Sequence, residues 1–220
     1  MSAALLATPA PLPLHSLPIW VDVSAAAVAA AFGAATGRNR RLPLLAVLVA
    51  GVIAGLVGGM IRDVLLGLEA AAIENWYYIP AVLLAALAGG FLAHRLVQGH
   101  VSYLSVRGLA VGLLVTIGVQ KGIEYRAPAD AAIFLGILAG TMGGATADVM
   151  AGERAAIFRQ AHWGLAAVIL SAFIFWLLTT YVDFWVAIVG AVLTVASLDI
   201  LSVKLGWNSP MFPGDRDPPK

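Results

Sequence analysis

The residues best able to do chemistry in this sequence are two glycine pairs, each with a carboxylate a few positions downstream. Gly58-Gly59 is followed by Arg62 and Asp63, and Gly143-Gly144 by Asp148. All of them lie inside long apolar runs, where a charged side chain costs at least about 2.5 kcal/mol on membrane-insertion scales and normally faces a partner or water. Each glycine also gives up about 1 kcal/mol of helix propensity relative to alanine, so a pair weakens a helix in its interior. One reading is close helix packing through small residues. The other is a kinked or broken helix whose freed backbone groups line a cavity, as in ion sites near the midplane of symmetric pores and transporters. Because the pair and its carboxylate occur twice, we favour the second: Gly58, Gly59, Gly143 and Gly144 as matched kinks, and Arg62, Asp63 and Asp148 as residues of an ion pathway.

A further polar stripe lies in TIGVQKGIE, where Thr116 and Gln120 fall on neighbouring turns beside Lys121. Water along that stripe and a buried ion pair between Lys121 and an acidic partner fit equally well. Arg62 beside Asp63 is compatible with a local charge pair that braces the kink. Asp22 and Asp199 fall within a turn or two of the end of an apolar run, where snorkelling to the membrane face explains them. His94, His100 and His162 flank such runs with no metal-ligand spacing, so no metal or other cofactor is expected.

These residues need helices in a bilayer to position them. The 220 residues are 61% hydrophobic and 11% charged, with a mean hydropathy of +0.92, against about 25% charged in soluble domains. Runs long enough to cross a bilayer occupy residues 17–36, 42–66, 76–97, 103–125, 130–150, 162–180 and 184–205, each about 20 residues as the helical rise requires. Aromatic residues such as Trp20, Trp76, Tyr103, Tyr125, Trp163 and Trp185 gather near the ends of these runs, as in an interfacial belt. A net charge of +1 with basic residues confined to short turns leaves no surface for nucleic acid. The absence of cysteine excludes thiolate chemistry.

An internal repeat organises the runs. AGLVGGMIRDVLLG, residues 54–67, aligns without gaps on AGTMGGATADVMAG, residues 139–152, with seven of 14 positions identical at an offset of 85. The same offset carries Gly33 and Gly37 onto Gly118 and Gly122. Two three-helix units follow, and because each crosses the membrane an odd number of times the second is inverted. The expected fold is all-α and polytopic: an irregular tail over 1–17, a first repeat over 18–99, an inverted second repeat over 100–182, a seventh helix over 183–205 and a tail over 206–220. Ten of the 13 Lys and Arg fall on the face that receives the first, third and fifth connections and the C-terminus, and only Arg126 on the other. The positive-inside rule then puts the N-terminus outside and the C-terminus in the cytoplasm.

GGMIRDVLLG, its weaker copy GGATADVMAG and the motif GVQKGIE resemble the prokaryotic branch of the trimeric intracellular cation (TRIC) channel family, which overlaps the UPF0126 domain family associated with glycine transport. The resemblance covers residues 20–180. It implies a seven-helix subunit of a homotrimer in a bacterial or archaeal cell membrane, with a separate ion-conducting pore in each subunit. Ala147 stands where that pattern often has arginine, and Arg107 where it often has aspartate, so strict equivalence of the repeats is broken. The eukaryotic members' basic lipid-binding cluster has no counterpart beyond Lys121.

The leading expectation is a potassium-permeable monovalent cation channel. Asp63 and Asp148 attract cations, and Arg62 and Lys121 tune or gate the path. The alternative is a small-solute carrier for a glycine-like amino acid, gripped at the same inverted-repeat site. Ions and membrane lipids are the expected partners. A retinal protein is excluded because the seventh run has only Lys204, near its end. With no GxSG or GxGD motif there is no intramembrane protease, and no enzyme reading remains.

Overall fold

Unbroken apolar character over 18 or more residues forces the backbone to satisfy its hydrogen bonds within one segment, which in lipid means helix. The computed structural model describes residues 18–96, 100–155 and 163–207; the expected tail over 1–17, Arg159, His162 and most of the C-terminal tail lie outside them. Among the described residues there are α1 (Ile19–Asn39), α2 (Leu44–Leu65), α3 (Ala71–Glu74), α4 (Tyr78–Leu96), α5 (His100–Glu124), α6 (Ala129–Met150), α7 (Gly164–Tyr181) and α8 (Phe184–Lys204). All but the single turn α3 are long and apolar enough to cross a membrane, seven in all. They coincide with the seven expected runs to within a few residues. The turn α3 was not expected.

The repeat is reproduced down to single hydrogen bonds. The α1–α2 turn has Arg41 at φ 61 and Leu42 N–H donating to the Gly37 carbonyl at 3.2 Å; the α5–α6 turn has Arg126 at φ 58 and Ala127 N–H donating to Gly122 at 2.9 Å. Each turn then enters its next helix through a proline, Pro43 or Pro128. α2 ends at Gly67 (φ 70) with Leu68 N–H on the Asp63 carbonyl at 2.9 Å, and α6 at Gly152 (φ 76) with Glu153 N–H on the Asp148 carbonyl at 3.0 Å. Both are the left-handed glycine closure that caps the last carbonyls of a helix.

α2 and α6 cross at the centre of the molecule. A Cβ on Gly58 would collide with the Ala139 carbonyl, and one on Gly143 with the Ala54 carbonyl. These contacts are each other's image under the 85-residue offset, and their order makes the two helices antiparallel, which is the geometry of an inverted repeat. With lipid as apolar as leucine, association depends on such close approach of small residues. Ala26, Ala30 and Ala34 of α1 pack with Val82 and Ala86 of α4 in the first half, while Val168, Ala172 and Phe175 of α7 pack with Ala187 and Ala191 of α8 in the second. Ala25 and Ala29 of α1 join Ala110 and Leu114 of α5 between them.

The halves differ in their third helix. α4 lies directly along α1, but the matching place against α5 is taken mainly by α8, with α7 packed against α8, α5 and α6. Gly108 and Gly112 permit this: Cβ atoms there would come within 2.6 Å of Ala196 and 2.8 Å of Val192.

Candidate ion pathway

α2 and α6 run as uninterrupted α-helix through their glycine pairs. The break anticipated at those pairs is absent, because the first glycine of each pair is consumed by the α2–α6 crossing. The second glycine faces elsewhere, one residue being about 100° around a helix. Gly59 looks toward the Arg62 guanidinium at 3.7 Å, and Gly144 meets nothing within 4 Å.

Asp63 and Asp148 do not share a midplane site. Each lies in the last turn of its helix, and the helices are antiparallel, so the two carboxylates sit at opposite faces, each about 10 Å along the axis from the crossing. We call these the Asp63 face and the Asp148 face.

At the Asp63 face four charges form one cluster. Arg62 holds Asp22 with two hydrogen bonds, Nη1 to Oδ1 at 3.2 Å and Nη2 to Oδ2 at 3.0 Å, and donates from Nε to Asp63 Oδ1 at 2.8 Å. Lys121 Nζ reaches Asp63 Oδ1 at 3.2 Å and Asp22 Oδ2 at 3.5 Å. The second Asp63 oxygen accepts the Ala71 N–H at 3.1 Å and so anchors α3. Arg62 and Asp63 are each 1% exposed and Asp22 3%. Two cations and two anions balance, which is the condition under which such burial is tolerable. Asp22 is therefore central rather than a snorkelling residue. Lys121 is the partner of a buried network rather than part of a water-lined stripe. Thr116 donates to the Leu113 carbonyl of its own helix at 2.8 Å, and Gln120 is 1% exposed. Around the cluster, burial and then the carboxylates of Glu124, Asp63 and Glu74 raise the phenol of Tyr125, in the α5–α6 turn, above its ordinary value.

The Asp148 face is arranged differently. Under the offset, Asp22 corresponds to Arg107 and Arg62 to Ala147, so the second copy of the cluster cannot form. Arg40, at the end of α1, reaches across to Asp148 at 2.7 Å instead, leaving 22% and 12% of the two side chains exposed. Arg107 is paired with Asp199 of α8, which is fully buried and also not snorkelling. Both faces thus place a cation from the first helix of one repeat on the carboxylate ending the middle helix of the other, Lys121 on Asp63 and Arg40 on Asp148.

From the Asp148 face a cavity of about 90 Å³ runs inward between α1, α2, α5 and α6, enough for several water molecules. Arg40, Asp148, Arg107, Thr36 and Thr141 supply polar groups to its lining, Gly144, where a Cβ would meet nothing within 4 Å, leaves it open, and it reaches Ala54 at the crossing. Thr116, Gln120 and Lys121 do not line it. Arg40, Arg107, Thr36 and Asp22 were not singled out for this pathway from sequence; the signal that could have found two of them is that the 85-residue offset carries Asp22 onto Arg107, a charge inside an apolar run in both copies.

A family model described as Glycine transporter matches residues 19–94 and 104–180, once for each repeat. The UPF0126 inner membrane protein YadS of Escherichia coli strain K12 is 31% identical over 157 residues, covering 68% of this chain and 73% of YadS. Among solved structures, one on conductance through TRIC cation channels superposes with a TM-score of 0.74 at 20% identity, over 91% of this chain and 100% of the other. The TRIC channel orthologue from Rhodobacter sphaeroides gives 0.75 at 23% identity, over 86% and 97%. A prokaryotic TRIC channel in 0.5 M KCl gives 0.74 at 22%, over 87% and 98%. A bilayer-spanning fold of two inverted three-helix repeats plus one helix is common to this chain and those channels, and the chain belongs to the UPF0126 membrane protein family, whose model carries the description Glycine transporter.

Proposed function

We propose that the protein is a potassium-permeable monovalent cation channel, assembled as a homotrimer with one pathway through each subunit between α2 and α6. The observation that carries this reading is the cavity that enters from the Asp148 face, with Arg40, Asp148 and Arg107 among otherwise largely apolar walls, and reaches the α2–α6 crossing, with the Asp22–Arg62–Asp63–Lys121 cluster beyond it. A carboxylate at the rim of a wet cavity concentrates cations, and the fold is that of TRIC channels. The Asp148 face is cytoplasmic in this reading, since Arg38, Arg40, Arg41, Arg95, Arg107 and Arg154 all lie toward it. Single cysteines replacing Arg41 should therefore label only from the cytoplasmic side of intact cells; labelling from outside would reverse the topology.

The decisive test is a planar-bilayer recording of the purified protein. Asp148→Asn should fold and assemble normally, because it leaves Arg40 partly in water, while cation conductance falls several-fold. Unchanged conductance and unchanged cation preference would take Asp148 out of the pathway. A carrier for a glycine-like amino acid is the second reading, favoured by the closure of the cavity at the Asp63 end. It requires saturable uptake of the amino acid into vesicles with no single-channel current.

A further inference from the structure

Three arginines at the Asp148 face have no carboxylate partner among the described residues. Arg38, at the end of α1, donates from Nη1 to the Gly90 carbonyl at 2.6 Å and grazes that of Phe91 at 3.5 Å, so its Nε and Nη2 donors make no hydrogen bond there. Arg41, in the left-handed turn, and Arg95, one turn beyond Phe91 on the same side of α4, are exposed and make no ion pair. Arg40, between them in sequence, is already committed to Asp148.

Below Arg38 lies a groove of about 330 Å³ between α2 and α4, walled by Leu42, Leu44, Val47, Leu48, Leu87 and Phe91 with Gly90 at its base. It faces away from the ion cavity, which shares only Leu42 with it. Leu44 and Phe91 on its rim are 64% and 70% exposed. Among the described residues, Arg38 is the one cation on the wall of this slot, and Arg41 and Arg95 lie within a turn of its residues Leu42 and Phe91; an apolar slot beside guanidinium groups without carboxylate partners is complementary to an acyl chain carrying an anionic headgroup. A second copy of this chain would have to bring spare carboxylates to the same place. Among the described residues, Asp148 and Asp199 of this face are already engaged by Arg40 and Arg107, and Glu153 has an interaction of its own.

We propose that this groove is a binding site for an anionic phospholipid, with one acyl chain between α2 and α4 and the phosphate held by Arg38, Arg41 and Arg95. The site is independent of whether the protein is a channel or a carrier. Native mass spectrometry of the full-length protein, exchanged against equal amounts of phosphatidylglycerol and phosphatidylcholine, reads it directly. The wild type should retain phosphatidylglycerol preferentially, and Arg38→Gln, Arg41→Gln and Arg95→Gln should each reduce that preference about fivefold. Gly90→Leu and Leu44→Trp, which fill the groove from its base and its rim, should abolish it with all arginines intact. A Cβ at Gly90 meets only the Val47 Cγ1 at 3.4 Å, and Leu44 is exposed, so both changes are compatible with folding. Equal retention of the two lipids by the wild type would overturn the proposal. So would a preference that survives the groove-filling variants, displacement of the lipid by soluble glycerol phosphate at matched concentration, or loss of oligomers in Leu44→Trp with lipid preference unchanged, which would give the groove to a second copy.

Discussion

Arg62→Met is expected to prevent the protein from reaching its assembled, folded form. Arg62 touches both Asp22 and Asp63 through its guanidinium fork, and it lies 1% exposed among them. Its removal leaves two buried carboxylates to share the Lys121 ammonium, and stranding a charge in this way costs about 3 to 5 kcal/mol. The measurement is denaturant unfolding in detergent alongside gel filtration. The argument concerns charge balance rather than side-chain volume, so it makes a second demand. Arg62→Met combined with Asp22→Asn retains Asp63 and Lys121 as a neutral pair at 3.2 Å and should recover much of the loss, a coupling that independent sites would not show. A single variant as stable as the wild type, or a double variant worse than the single one, would mean that the cluster is not held by its charges.

The second large effect separates the two glycines of each pair. Gly58→Ala and Gly143→Ala should each destabilise by about 1 to 3 kcal/mol, because the new methyl is driven into a carbonyl belonging to the backbone of the opposite helix. That backbone cannot give way alone. Gly144→Ala has open space before it and Gly59→Ala only the end of the Arg62 side chain at 3.7 Å. There the usual gain in helix propensity, up to about 1 kcal/mol, should dominate. Thermal unfolding of the four variants tests the pattern. Equal behaviour within each pair would show that the crossing does not depend on the first glycine, and that the pairs act as flexible points instead.

The seven spans were legible because hydropathy and length alone fix them, and the inverted repeat because an odd number of crossings leaves no other relation between copies. The family likeness lay in contiguous motifs and was legible for the same reason. What could not be read was which side of a helix meets which neighbour. Gly58 and Gly59 are adjacent in sequence, yet one is welded to α6 and the other looks at Arg62. Asp22 resembles an end-of-helix residue until the fold brings a guanidinium from 40 positions away onto it. Arg40 counted only as a topological charge until α6 presented Asp148 to it. In the second half, the Asp22 position filled by arginine predicted broken symmetry, but not that α8 would supply Asp199 as the new partner.

The reciprocal contacts at the α2–α6 crossing carry a consequence for how such a chain can arise. Gly58 on Ala139 and Gly143 on Ala54 are one contact made twice, the joint that two identical three-helix polypeptides would form if one inserted upside down beside the other. Covalent fusion removes the need for a half to insert both ways, and each half is then free to acquire its own residues. The present halves have used that freedom: two copies of the first would lack Lys121, and two copies of the second would lack Arg62. The chain is a pair of unlike parts, joined by a seam that still fits like with like.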